Sequence, residues 1–207
     1  MKRIIYLLLL LLLFYKVNCQ TAKDYYDAGA KQFYQLDYKS AIENFTKALD
    51  IDPGIQQAYE SRGNAKFNLN DFPGALEDFN KALQLMNDQK SPDLYSRRGL
   101  TRSALKDYQG AIDDFTAAIE QSNQTDLRYF IYRGSARFFL REYEGAIADC
   151  DLAINSKYPV INKSEAFYWR GLSKIFMGQQ DDGCKDLKTA LDTGYKRASE
   201  SIKNYCQ

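Results

Sequence analysis

The feature that most constrains the fold of this chain is an internal repeat. Glycine residues recur at intervals of 34, 36, 35 and 37 residues, and they are Gly29, Gly63, Gly99, Gly134 and Gly171. A small residue follows each glycine after twelve positions, and an alanine follows that small residue after seven more. Self-similarity at such a period indicates stacked copies of one supersecondary unit, because a single copy is too small to bury its apolar face.

Each copy contains two segments in which apolar residues recur at helical spacing. A short polar turn joins the two segments, as at Asn70-Asp71 and Lys106-Asp107. The acidic residue of the turn lies where the second helix would begin, and the helix dipole favours negative charge at that end. Small residues at the repeated positions let two helix backbones approach closely. The pattern therefore predicts helix pairs that stack on one another.

These positions resemble the tetratricopeptide repeat, whose pattern has a large apolar residue at position 4, small residues at positions 8, 20 and 27, and an aromatic residue at position 17. Position 4 is occupied by Tyr25, Tyr59, Tyr95, Phe130 and Phe167. Position 17 is occupied by Tyr38, Phe72, Tyr108 and Tyr143, and by Gln180 in the fifth repeat. An atypical residue is expected in a terminal repeat.

The resemblance covers residues 22–195 and implies an all-α fold, a right-handed superhelix or α-solenoid of antiparallel helix pairs. Its five repeats are expected at residues 22–55, 56–91, 92–126, 127–163 and 164–195. Residues 196–207 read as a polar helix with a sparse apolar face, which proteins of this family commonly use as a C-terminal capping helix.

The first nineteen residues have the layout of a secretory signal peptide. Lys2 and Arg3 precede an apolar run that extends from Ile4 to Tyr15. This run is short of the roughly 20 residues that a membrane helix needs. We therefore expect export to the periplasm or the secreted space, with cleavage after Cys19. Lipid anchoring through Cys19 is an alternative, although Lys16 stands where lipoprotein signals usually carry leucine.

Composition argues against several classes of function. Basic and acidic residues nearly cancel, at 28 and 27, so the chain has no general attraction to nucleic acid. Histidine is absent, which removes histidine-dependent nucleophiles and metal sites. No glycine-rich phosphate-binding loop occurs. We therefore expect no catalytic residue, no metal and no cofactor.

An arginine precedes the repeat glycine in four of the five copies, and an aspartate follows each arginine after sixteen residues. The first copy has Ala28 and Asn44 at these two positions. This correlation predicts an ion pair between the two helices of a repeat, since the guanidinium group meets a carboxylate with two hydrogen bonds. The predicted pairs are Arg62–Asp78, Arg98–Asp114, Arg133–Asp149 and Arg170–Asp186. A row of arginines that binds acidic ligands is the alternative.

Export would leave three cysteines in an oxidising compartment. Cys150 replaces a core phenylalanine of the repeat and is predicted to be a buried thiol. Cys184 lies near the start of the last repeat's second helix, and Cys206 lies at the end of the capping helix. Antiparallel neighbours would bring these two ends together, which predicts a Cys184–Cys206 disulfide.

In proteins that this chain resembles, the first helices of the repeats line a concave groove. The groove positions are mostly polar in the second repeat and mostly large and apolar in the fourth and fifth. Because exposed aromatic patches usually mark interaction surfaces, we expect a partner to bind there. The predicted contact residues are Arg97, Arg128, Ile131, Tyr132, Phe139, Tyr168, Trp169, Leu172 and Phe176. For Phe139 and Phe176, a place in the core shared with the neighbouring repeat is equally compatible with the pattern.

The sequence thus predicts a non-enzymatic scaffold in the cell envelope or the secreted space that holds a protein or peptide partner in its groove. A self-associating or envelope-anchored structural module is one alternative, in which the aromatic patch joins copies of the chain. An accessory subunit of an envelope complex is another. Neither nucleic acid binding nor membrane insertion after signal removal is expected.

Overall fold

A computed structural model of the chain describes residues 20–86, 91–156 and 163–206. These residues form α-helices joined by short turns, and the described ranges contain no strand. The predicted signal peptide lies outside them. None of the helices that are described is long and apolar enough to cross a membrane. The expectation of an all-α fold is confirmed for this part of the chain.

The chain divides into two compact units, the first ending at Met86 and the second beginning at Asn87. In the first compact unit, the helices are α1 (Ala22–Tyr34), α2 (Tyr38–Ile51), α3 (Gln56–Asn68) and α4 (Phe72–Gln84). Helices α1 and α2 form one pair, α3 and α4 form the next, and α2 packs against α3. Ala41, Phe45 and Ala65 form a buried apolar cluster in this unit.

The second compact unit continues the same arrangement. Its helices are α5 (Pro92–Ala104), α6 (Tyr108–Gln121), α7 (Arg128–Phe139), α8 (Tyr143–Asn155), α9 (Lys163–Phe176), α10 (Gln180–Asp192) and α11 (Ala198–Tyr205). The pairs are α5 with α6, α7 with α8, and α9 with α10, while α11 packs mainly against α10. A core cluster that includes Cys150, Trp169 and Leu187 joins the last two pairs.

The described turns inside the five pairs share one backbone feature, and three of them also share an aspartate cap. One residue of the turn adopts a left-handed backbone conformation, with φ between 62° and 81°, and these residues are Leu36, Asn70, Lys106, Arg141 and Gly178. The aspartate that follows Leu36, Asn70 or Lys106 caps the second helix, because its carboxylate accepts a backbone N–H three residues ahead. The left-handed residue and the acidic cap together end one helix and begin the next.

The repeat glycines lie where the two helices of a pair cross. A Cβ atom built on Gly171 would lie 2.8 Å from the backbone oxygen of Gly183. Backbone cannot give way as a flexible side chain can, so this pair of helices has no room for a methyl group. At Gly134 the nearest atom is the sulfur of Cys150 at 3.2 Å. The crossing of α7 and α8 is therefore less tight than that of α9 and α10.

We expect Gly171→Ala to lower the free energy of unfolding by about 2 kcal/mol, because overpacking outweighs the better helix propensity of alanine. Gly134→Ala is the matched comparison, since its Cβ would meet the Cys150 sulfur at 3.2 Å and the Ala146 backbone oxygen at 3.3 Å, both farther away than the backbone oxygen at Gly171, and it should change stability by less than about 1 kcal/mol. Urea unfolding followed by circular dichroism measures both variants. Equal destabilisation of the two would contradict the assignment of the α9–α10 crossing as the tighter one.

Candidate functional site

The structure brings together all four of the arginine–aspartate pairs predicted from the sequence. The closest distances are 2.7 Å for Arg62–Asp78, 2.6 Å for Arg98–Asp114, 2.7 Å for Arg133–Asp149 and 2.6 Å for Arg170–Asp186. In the pair formed by Arg133, both Nε and Nη2 donate to the two carboxylate oxygens. The aspartates are buried and the arginines are largely covered, so these pairs belong to the interior of the helix pairs.

Each buried aspartate also contacts a second basic side chain, which the sequence reasoning missed. These second partners are Lys66 at 2.8 Å, Arg102 at 3.0 Å, Arg137 at 2.8 Å and Lys174 at 2.8 Å. The sequence carried the signal, since each of these residues stands one helical turn after a pair-forming arginine. One carboxylate therefore holds two cations in each of the four helix pairs.

The arginines have further contacts with the preceding pair. Arg62 Nη1 donates to the Thr46 hydroxyl at 3.0 Å, and Arg133 Nη1 donates to the Thr116 hydroxyl at 3.1 Å. Arg170 Nη1 donates to the Asp151 carboxylate at 2.6 Å. Burial alone would lower the pKa of Arg170, but the hydrogen bonds to its two carboxylates raise the pKa above its ordinary value. These donors are engaged inside the fold, which argues against a row of arginines open to acidic ligands.

The first helix pair contains an uncharged counterpart of this network. Asn44 takes the place of the aspartate, and its amide donates to the side-chain oxygen of Gln32 at 2.7 Å. Gln32 stands where the other pairs have the second cation, and Ala28 stands where they have arginine. All three ionic members are thus replaced together by neutral ones.

Cys184 and Cys206 form a disulfide, with their Cα atoms 5.7 Å apart. The bond connects α10 to the residue that follows α11, the helix at the position predicted for the cap. Helix α11 also contributes buried Ala198 and Ser201 to the contact with its neighbours. Cys150 is a free, buried thiol, and burial raises its pKa well above the ordinary value. The thiol therefore stays protonated and unreactive in the folded chain.

Three of the predicted contact residues are buried, which corrects the expectation that they line an open groove. The exposed fractions are 1% for Ile131, 8% for Trp169 and 5% for Leu172. All three belong to the core cluster of the last two helix pairs. Large side chains of α7 close over the tryptophan, whose ring lies 5.5 Å from both Phe138 and Phe139. A side chain on the helix face that was predicted to line the groove is buried when the side chains of the adjacent helix are this large.

The polar contact candidates lie at or near the surface. Arg97 and Arg128 are exposed, but Arg128 Nε donates to both oxygens of Asp126 at 3.0 Å. Tyr132 is partly buried against the Phe115 ring, and burial raises its pKa. Tyr168 packs between the rings of Trp169 and Tyr195, so only an edge of it reaches solvent.

Phe139 and Phe176 are the large apolar candidates that remain exposed, each at 49%. Tyr205 is also exposed, and its ring lies 5.7 Å from that of Phe176. We call these three residues the aromatic edge. Phe139 stacks on Tyr108 at 4.8 Å, and Phe176 stacks on Tyr143 at 5.7 Å. The two phenylalanines are thus held in place by other rings while half of each side chain faces solvent.

Comparison with known proteins supports the repeat pattern and the fold. The family model of the tetratricopeptide repeat matches residues 19–93. YrrB, described as a tetratricopeptide repeat protein with an unusual peptide-binding site, has 19% sequence identity and a TM-score of 0.75, covering 91% of this chain and 95% of its own. Residues 19–93 thus match the tetratricopeptide repeat in sequence, and the described residues are similar in fold to proteins of that family. Among curated proteins, no sequence matches it at a significant level.

Two further structures share the tetratricopeptide repeat fold of this chain. MamA from Desulfovibrio magneticus has 16% identity and a TM-score of 0.74, covering 83% of this chain and 93% of its own. A tetratricopeptide repeat protein from Parabacteroides merdae has 18% identity and a TM-score of 0.61, covering 93% of this chain and 73% of its own. At identities this low, the structural similarity establishes the fold alone. It does not identify a binding surface on this chain.

All three residues of the aromatic edge lie at helix ends, and Tyr205 is the last residue of α11. Phe139 is the last residue of α7 and Phe176 is the last residue of α9. The rings beneath them, Tyr108 and Tyr143, are the first residues of α6 and α8. The surface therefore follows the turns within the repeats.

Over the described ranges, no group of three or more cysteine and carboxylate side chains is placed to hold a metal ion.

Proposed function

We propose that this chain is a non-enzymatic scaffold that binds a protein or peptide segment on the surface of its last two repeats, at the aromatic edge. The observation that carries the proposal is the half exposure of Phe139 and Phe176 on top of packed rings. Neighbouring aromatic side chains that are exposed together on a protein surface often mark an interaction site. The peptide-binding site described for YrrB, which has the same fold, supports this class of function.

The arrangement also suits binding on energetic grounds. Aromatic side chains contribute much of the binding energy in protein interfaces when they are fixed before the partner arrives. Phe176 has ring neighbours on α7, α8 and α11, namely Phe138, Tyr143 and Tyr205. Little side-chain entropy remains to be lost on binding, so the buried area counts more fully toward affinity.

The proposed place of action is outside the cytoplasm, in the periplasm or the secreted space. The signal-like layout of residues 1–19 and the Cys184–Cys206 disulfide support it independently, since structural disulfides persist in oxidising compartments. Lipid anchoring through Cys19 is the alternative form of export. Globomycin treatment of producing cells distinguishes the two, because it blocks processing of the lipid-anchored form alone.

Substitution of the two exposed phenylalanines tests the binding surface. We expect Phe139→Ala with Phe176→Ala to weaken a partner captured from the exported fraction by about tenfold or more in biolayer interferometry. Leu152→Ala is the matched control, because Leu152 is 52% exposed on a second helix, α8. Equal affinities of the double variant and the wild type would place the partner elsewhere.

The same variants separate the scaffold from a self-associating structural module. Light scattering over a range of concentrations measures the molar mass of the wild-type chain. A monomer that captures a partner supports the scaffold. A dimer that dissociates in the double phenylalanine variant, while the Leu152→Ala dimer persists, would assign the aromatic edge to contact between copies of the chain.

A further inference from the structure

Glu165 occupies an unusual position beside the aromatic residues of the last repeats. It lies in the first turn of α9 and is partly buried. Its Oε1 accepts a hydrogen bond from the indole N–H of Trp169 at 3.3 Å. In the part of the chain that the structure describes, no basic side chain lies within ion-pair distance of this carboxylate. The hydrogen bond that the Glu165 carboxylate accepts therefore comes from a neutral donor, the indole N–H.

Further aromatic rings pack beside the tryptophan that binds this carboxylate. Tyr168 and Trp169 meet edge to face, with ring centroids 4.9 Å apart and planes at 72°. Tyr195 lies 4.8 Å from Tyr168. The Glu165 charge, after burial, raises the pKa of both Tyr132 and Tyr195. A negative group among ring faces attracts a cation, both directly and through the ring quadrupoles.

Among the described residues, the nearby arginines form no ion pair with Glu165. Arg128 is bound by Asp126, as described above, and also lies 3.8 Å from Asp93. Arg197 is exposed, and the pKa of its guanidinium group is raised first by Tyr195 and also by the Glu165 charge, so these two groups attract each other without forming an ion pair. Arg97 is exposed on α5. Glu165 thus differs from Asp126, whose charge an arginine of the chain already balances.

We infer that Glu165, with the rings of Tyr168, Trp169 and Tyr195, binds a basic side chain, lysine or arginine, of the partner segment. This inference rests on the proposed function and specifies the chemistry of its partner. Trp169 connects the two surfaces, because its ring contacts Phe139 of the aromatic edge while its N–H binds Glu165. The recognised segment therefore combines an apolar side chain, seated on Phe139 and Phe176, with a neighbouring positive charge.

The single tryptophan of the chain makes this site measurable without knowing the partner. The probe is Nα-acetyl-lysine methylamide, titrated while the fluorescence of Trp169 is recorded. We expect a saturable change with a dissociation constant of about 10 mM, as a cation–π contact and one ion pair together allow. The neutral probe Nα,Nε-diacetyl-lysine methylamide, which has the same stem without the charge, should give no saturable change.

Glu165→Gln provides the second arm, since it keeps the shape and the hydrogen-bond acceptor and removes the charge. We expect it to weaken binding of the lysine probe by about fivefold or more. Equal responses to the charged and neutral probes in the wild type, or unchanged affinity in Glu165→Gln, would overturn the inference. If either of these results is found while the phenylalanine double variant still binds the partner more weakly, the scaffold proposal stands and only the assignment of a basic residue fails.

Discussion

Replacing Asp149 with alanine is expected to lower the free energy of unfolding by about 4 kcal/mol, the largest effect of any single substitution considered for this chain. The carboxylate of Asp149 binds Arg133 and Arg137, and all three side chains are buried or largely covered. Its removal leaves two positive charges between α7 and α8 with too few acceptors, which costs more than the pairs themselves contribute. Urea unfolding followed by circular dichroism gives the change, and Glu144→Ala, at an exposed position of α8, should stay within about 0.5 kcal/mol of the wild type.

The first helix pair supplies a rescue for this variant. It contains Ala28, Gln32 and Asn44 where α7 and α8 have the charged trio. The triple variant Arg133→Ala, Arg137→Gln and Asp149→Asn therefore reproduces a combination that this chain already uses. We expect it to recover at least about half of the stability lost in Asp149→Ala. A triple variant as unstable as the single one would show that uncompensated charge is not the cause.

The second large effect is expected from the disulfide. Cys184→Ser with Cys206→Ser should destabilise α11 and its contact with α10 by about 3 kcal/mol, on the model in which the cross-link restricts the unfolded chain. The two cysteines are 22 residues apart. Hydrogen exchange of the α11 amides should accelerate in the double variant, while exchange in α7 and α8 changes little.

Dithiothreitol gives the control for this prediction. It should reproduce the faster exchange in the wild type and leave the double serine variant unchanged, because the variant has no disulfide to lose. Cys150 remains in every sample, and its buried thiol contributes equally to all of them. Protection of α11 that is the same with and without the bond would mean that packing alone holds this helix.

The helix pairs could be predicted from the sequence because their causes are local and repeated. Glycine at the crossing point and an acidic residue at the turn recur at one period. A pattern inferred from one copy of the repeat can therefore be checked against the other copies. The arginine–aspartate contacts were accessible for the same reason, since Ala28 and Asn44 depart from the pattern together. The second cation was missed, although the same comparison would have found it once Lys66, Arg102, Arg137 and Lys174 were aligned as well.

Burial at the candidate site could not be predicted in the same way. Helical periodicity predicts the direction in which a side chain points from the axis of its helix. It correctly predicts that Trp169 points away from the helix crossing. Whether that direction ends in solvent depends on the size of side chains on the neighbouring helix. Phe138 and Phe139 are large enough to cover the tryptophan, while Phe176 stays 49% exposed although the rings of Phe138, Tyr143 and Tyr205 pack against it. This depends on packing between repeats, which varies from one copy to the next.

The arginine contacts between helix pairs all point the same way along the chain, toward its N-terminal side. Arg62, Arg133 and Arg170 each extend one donor toward the helix that precedes their own pair, where Thr46, Thr116 and Asp151 accept it. Cutting the chain in front of such a pair would remove the acceptor and expose the donor to water, whereas cutting behind it would keep this hydrogen bond. Shortened or extended versions of this protein should therefore be designed by removing or adding helix pairs toward the C-terminal end, with α11 transferred to the new last pair.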